Sequence, residues 1–255
     1  MPASSDIVLD TAVAVAFSGR RDGVSSGPFS EANISTNVGD DLDAVLENRR
    51  RLMARLDLVG RPLVTVRQVH GARVLTVVPG AVPPGPSELR AFPVNADGMV
   101  VRKSNIVLMV GVTDCAPVLL ADAGRGVIGA LHVGWRGLLR GAVEQMAVAM
   151  ARAGARPSEI VAQIGPAIGS CCLTVGADVR AAVSHRYSKA FATSRQGDPA
   201  LDLRAGVIQA LSASGINQSR VVGGCTAHNA DEHFSARRDG RTGVQAGVIA
   251  MRAGY

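Results

Sequence analysis

Gly126 to Ala153 reads GVIGALHVGWRGLLRGAVEQMAVAMARA, and its two halves follow different periodicities. Gly126 to Val133 is rich in β-branched residues and bounded by glycines, the mark of a strand. From Gly137 to Ala153, apolar Leu138, Val143, Met146, Val148 and Met150 recur at helical spacing, so a helix starts where the strand stops. His132 sits at that junction among Gly134, Arg136 and Gly137, a flexible, cationic setting that suits close approach of an anion. Unpaired backbone amides at the helix start favour the same ligand.

Working outward, strand-like and helix-like runs alternate along the chain, which predicts a mixed α and β protein. Asp40 to Leu58 reads as a helix stopped by Gly60 and Pro62. Pro62 to Val69 and Ala72 to Val78 read as strands joined at His70-Gly71. Ala96 to Val101, Ile106 to Val112 and Val118 to Ala121 read as further strands. Pro79 to Pro93 holds five prolines and two glycines and reads as a loop able to act as a lid. Gly165 to Gly169 follows a short strand as a tight loop. Asp178 to Ala190 and Asp202 to Ser214 read as helices, and Gly243 to Arg252 as an alternating final strand. No internal repeat or coiled-coil heptad is present.

At 255 residues and 47% apolar, the chain can bury one large core, and it reads as a single domain over residues 1–255. No apolar run approaches the roughly 20 residues that span a bilayer. Thr11 to Phe17 is short and follows acidic Asp6 and Asp10, which predicts no signal peptide and a cytoplasmic protein. The four cysteines are therefore expected as thiols or ligands, not disulfides. The net charge of +6 comes from scattered basic residues, and the Arg49-Arg50-Arg51 run lies on the polar side of a helix. With one Trp, two Tyr and five Phe, a stacking surface for nucleic acid is not expected; an anionic small substrate is. Nothing in the sequence specifies an oligomer.

Two more strand ends carry chemistry. His70 lies in Arg67-Gln68-Val69-His70-Gly71, and Cys115 in Thr113-Asp114-Cys115-Ala116-Pro117. With His132 they supply two imidazoles and a thiolate, three ligands that leave a zinc ion one open position for water or substrate. A rival cluster, Cys225, His228 and His233, has short ligand-like spacing on a polar segment. Vicinal Cys171 and Cys172 are expected to be buried thiols, because neighbours on an extended chain point to opposite faces. The Gly-x-Ser-x-Gly elbow, the Walker loop and the zinc-deaminase signature are all missing.

Taken in order, Arg67 to Gly71, Asp114 to Pro117, His132 to Gly137, Ile164 to Gly169 and Phe234 to Gly240 closely resemble the YfiH family, also called the laccase-domain, polyphenol oxidase or peptidoglycan editing factor family. Phe17-Ser18-Gly19-Arg20, Gly23-Val24-Ser25, Asn33 and Val38-Gly39-Asp40 match too, so the resemblance runs from about residue 17 to 250. It implies an α+β fold, a single-domain layered sandwich of mixed β-sheets flanked by helices. It also implies zinc on His70, Cys115 and His132, phosphorolysis of adenosine, inosine and methylthioadenosine, and deamination of adenosine. A link to peptidoglycan composition comes with it. Ala236, Leu173 and Thr174 depart from the family's usual residues, which bears on substrate preference.

On this reading purine nucleoside and phosphate are the partners. Arg136, Arg20 and Arg237 are candidates for phosphate, Asn33 and Gln68 for substrate, and Asp97 and Asp114 for proton transfer or orientation of the imidazoles. Copper polyphenol oxidase is disfavoured, since several coppers need His-x-His pairs and the chain has five His and no such pair. Two alternatives stay open. Cys115 with His132 as base would make a thiol hydrolase acting on peptidoglycan precursors. A closed fourth position would make a non-catalytic zinc protein.

Overall fold

Short apolar runs punctuated by Gly, Pro and Asp become strands, and the amphipathic ones become helices. The first half contains β1 (Val13–Phe17), α1 (Leu42–Arg55), β2 (Leu63–Arg67), β3 (Val74–Thr76), β4 (Arg90–Asn95), β5 (Gly98–Arg102) and β6 (Val107–Val112). Next come β7 (Ala116–Asp122), β8 (Val127–Val133), α2 (Trp135–Leu139), α3 (Ala142–Arg152), β9 (Val161–Ile164) and α4 (Ala177–Arg186). β10 (Phe191–Thr193), β11 (Pro199–Leu201), α5 (Leu203–Ala213), β12 (Gln218–Val221), α6 (Ala236–Asp239) and β13 (Gln245–Met251) complete it. This computed structural model describes residues 11–83 and 89–252; Asp6, Asp10 and the middle of the proline-rich stretch, residues 84–88, lie outside the described residues.

β1, β13, β6, β2 and β4 form a five-stranded sheet in that order, and β12, β9, β7, β8, β5 and β3 a six-stranded one. Both are mixed, since β2 runs parallel to β4 and β6 while β13 is antiparallel to β6, and β9 is parallel to β12 but antiparallel to β7. The sheets face each other across Val15, Leu108, Val110, Leu119, Ile128 and Ile249, all buried. Outside the six-stranded sheet, Val143 and Met146 of α3 and Val207 and Leu211 of α5 pack on Leu120 and Leu131. Outside the five-stranded sheet, Leu52, Met53 and Leu56 cover Leu63, Met109 and Val248. The result is the α+β layered sandwich of mixed sheets flanked by helices that the family resemblance implied. No described helix is long and apolar enough to cross a membrane.

Several elements differ from expectation. The helix read over Gly137 to Ala153 is two helices, because Gly141 takes a left-handed φ of 80° between α2 and α3. β2 and β3 are not partners but lie in different sheets. The proline-rich stretch ends in β4, an edge strand, where Pro93 costs no ladder hydrogen bond. β13 does not alternate: every residue from Gln245 to Met251 is buried, since the strand is flanked by β1 and β6 and covered on both faces.

Candidate metal centre and its cleft

Three times the chain leaves the five-stranded sheet and enters the six-stranded one in the same sense, from β2 to β3, β4 to β5 and β6 to β7. Those crossings carry His70, Asp97 and Cys115 in turn. His132, next to last in β8, pairs with Pro117 at the start of β7 and so joins them. The topology thereby gathers four residues spread over more than 60 positions of sequence.

The ligand atoms of His70, Cys115 and His132 lie within 4.8 Å of one another. Cys115 Sγ is 3.8 Å from His70 Nδ1, and the two imidazoles meet edge to face with centroids 4.8 Å apart. Asp97 organises the group. Fully buried, its carboxylate accepts from His132 Nδ1 at 2.8 Å and from the backbone N–H groups of Val69, His70 and Gly71, the last at 2.6 Å. A carboxylate only accepts, so His132 Nδ1 carries a proton toward Asp97, and Nε2, once it gives up its own proton, is the nitrogen open to a metal. The same bonds hold His70 at a left-handed φ of 55°, a conformation that needs such support.

Electrostatics match the geometry. Burial raises the Asp97 carboxyl, but hydrogen bonds from His132, Gly71 and Val69 outweigh it and hold the group low. Burial likewise opposes ionisation of Cys115, yet the neighbouring His132 and His70 bring its thiol down to about 6. His132 rises to about 9 against its own burial, through Cys115 and Asp97. Gly134 backs this group closely: a Cβ there would stand 2.9 Å from Cys115 Sγ and 3.0 Å from His70 Nδ1.

The three candidate ligands line an open cleft of about 500 Å³. Leu89, Phe92 and Pro93 form an apolar wall, so the end of the expected lid is a fixed strand edge. Ser35, Thr36 and Asn37 supply polar groups opposite, and Arg67 and Arg49 are the cations. Gln68 lines the cleft but spends its amide on Gly111, donating to its carbonyl at 2.7 Å and accepting its N–H at 2.9 Å.

The other sequence candidates lie elsewhere. Arg20 donates to the carbonyls of Ser30 and Ala230 and stacks over Phe234. Asn33 is buried and bonded to Ser35, Asp40 and Val244. Arg136 is exposed over the Trp135 ring. Asp114 accepts from the hydroxyls of Thr226 and Ser235 at 2.7 Å and from Arg237 N at 2.8 Å, while the Arg237 guanidinium holds the carbonyls of Cys172 and Thr174. Asp114 and Arg237 thus brace the Cys115 turn from behind. Leu173 is in the core, Thr174 contacts Arg237, and Ala236 is exposed.

Sequence reasoning passed over Arg67 and Phe92 as cleft residues, and Arg140, whose guanidinium donates to the His70 carbonyl at 3.3 Å. Arg67 stood inside a quoted motif, and its neighbourhood to His70 was the available signal. The rival cluster is also rearranged: Cys225 and His228 meet Cys171 and Cys172, and His233 is not among them. Cys171 and Cys172 occupy a turn, where the opposite-face rule of an extended strand does not hold, and both are half-buried.

A layered sandwich with a His-Cys-His group lining an open cleft defines a class of proteins with a candidate metal-dependent site. The chain belongs to the family described as multi-copper polyphenol oxidoreductase laccase, whose model matches residues 14–252. It is 39% identical over 234 residues to the purine nucleoside phosphorylase ORF3 of Streptomyces griseus, covering 92% of each chain. YlmD from Geobacillus stearothermophilus superposes with a TM-score of 0.85 at 30% identity, over 95% of this chain and 93% of that one. Bacillus licheniformis YfiH, at 31% identity, gives 0.83 over 94% and 93%.

Proposed function

We propose that the chain is a zinc-dependent purine nucleoside phosphorylase, taking adenosine, inosine and methylthioadenosine with phosphate and also deaminating adenosine, in the cytoplasm. One observation supports it above others: three ligand atoms converge within 4.8 Å in the lining of a cleft of the size that holds a nucleoside. The relatives named purine nucleoside phosphorylase support the substrate class.

His70, Cys115 and His132 would hold the ion. Three such ligands suit zinc with one position open, and the ion would supply Lewis acidity and an activated oxygen nucleophile. The chain's own residues do the rest. Asp97 keeps the proton of His132 on Nδ1, so that Nε2 faces the ligand group. Its bonds to the His70 loop hold that second imidazole in place. Phe92, Leu89 and Pro93 offer an apolar face for the base and exclude water from it. Arg67 lines the cleft as the cation for phosphate, which adds to the ribose carbon as the base departs. Deamination consumes water and releases ammonia.

Incubation of zinc-loaded protein with adenosine, with and without phosphate and before and after chelation, tests the reading. Adenine formed only with phosphate and lost on chelation is expected, with inosine marking deamination. No product from fully loaded protein overturns it. A second reading, Cys115 as nucleophile and His132 as acid-base partner on a peptidoglycan precursor, draws support from the lowered thiol and raised imidazole. Turnover of such a precursor that survives chelation would establish it.

A further inference from the structure

We propose that Cys171, Cys172, Cys225 and His228 form a second metal site, a structural zinc centre of three thiolates and one imidazole. Their ligand atoms all lie within 4.8 Å of one another. Cys171 Sγ is 3.3 Å from Cys172 Sγ, 3.7 Å from Cys225 Sγ and 3.4 Å from His228 Nδ1. A tetrahedral zinc with bonds of about 2.3 Å to sulfur sets its ligands roughly 3.7 Å apart, so these separations are near the edges of one coordination tetrahedron. Four protein ligands close the shell, which distinguishes a structural site from an open catalytic one.

The fold builds this cluster deliberately. β9 and β12 run side by side and parallel, with Ile164 opposite Val221, so the segments leaving them stay together. A further bridge pairs Ala167 with Cys225. Cys225 to His228 is a turn in which the N–H groups of His228 and Asn229 bond the Cys225 carbonyl, a two-residue spacing typical of zinc knuckles. Gly169 donates its N–H to Cys225 Sγ at 3.1 Å, the sort of contact that steadies a ligating thiolate. A Cβ at Gly169 would stand 3.3 Å from Cys171 Sγ and from Cys225 Cβ.

Three thiolates around a dication leave one negative charge, and cations flank it. Arg195 Nη1 lies 3.4 Å from His228 Nε2 and places one guanidinium charge beside the cluster. Arg237 grips the Cys172 carbonyl and its N–H bonds Asp114, while Thr226, beside Cys225, donates to the same carboxylate. Asp114 precedes Cys115. The second centre therefore stiffens the two segments that hold Cys115 in place, whatever reaction the cleft performs.

Metal analysis of protein purified with reductant and loaded with zinc chloride provides the test. About two ions per chain are expected, one for each cluster, with His132→Ala and Cys225→Ser each keeping about one. Alkylation of the zinc-loaded wild type, mapped by mass spectrometry, gives a readout that needs no variant. Cys171, Cys172 and Cys225 should be protected together and become reactive together on chelation. Full alkylation of the three in loaded protein, a disulfide among them in reductant, or unchanged zinc in folded Cys225→Ser would overturn the proposal.

Discussion

Asp97 shows how much one buried carboxylate can organise, because it fixes the proton of one candidate ligand and the loop of another. Asp97→Asn retains the volume but weakens both roles. Zinc affinity at the first centre should fall about 10- to 100-fold in competition with a chromogenic chelator, the usual cost of losing such a partner. Wild-type affinity in that variant would remove the role. Cys115 offers a second handle. In metal-free protein its thiol lies near 6, so it is a thiolate above that pH, where an ordinary thiol ionises near 9. The rate of iodoacetamide alkylation should climb with a midpoint near 6, and His132→Ala should move that midpoint upward by removing the neighbouring positive charge. Reading of the sequence reached His70, Cys115 and His132 because each stands at a strand end among turn residues. It missed the work of Asp114 and Arg237, whose carboxylate and guanidinium face segments more than 50 positions away.

Among the elements, the junction between β8 and α2 leaves least room. Gly134→Ala puts a methyl 2.9 Å from Cys115 Sγ and 3.0 Å from His70 Nδ1, so two of the three candidate ligands must shift to admit it. Zinc at the first centre should be lost while far-ultraviolet dichroism stays native; retention of the ion with wild-type affinity would show that the turn gives way. This segment's change from strand to helix was legible, but its left-handed break at Gly141 was not, since apolar spacing runs through a glycine without a mark. β4 escaped for a related reason. Prolines read as loop residues, and only its place at the sheet edge makes Pro93 harmless.

At the scale of the molecule, two sheets share one apolar interface; the alternating strand and helix signals were enough to foresee a mixed α and β protein, and the family resemblance supplied the layers. Which sheet each strand joins was not foreseeable, because β2, β4 and β6 look locally like β3, β5 and β7. Leu119, wholly buried between the sheets, reports on that interface. Leu119→Ala should cost about 2–5 kcal/mol in urea unfolding by loss of burial and creation of a cavity. A loss below about 1 kcal/mol would mean that the sheets close over the gap. The crossings between sheets add something further. His132 belongs wholly to the six-stranded sheet and Cys115 stands just before β7 of that sheet, whereas His70 lies on the crossing that issues from β2 of the five-stranded one. An ion gripped by all three is a rivet through the joint, and any sliding of one sheet over the other must distort its bond angles. With cobalt in that position, the visible spectrum becomes a strain gauge for the whole sandwich.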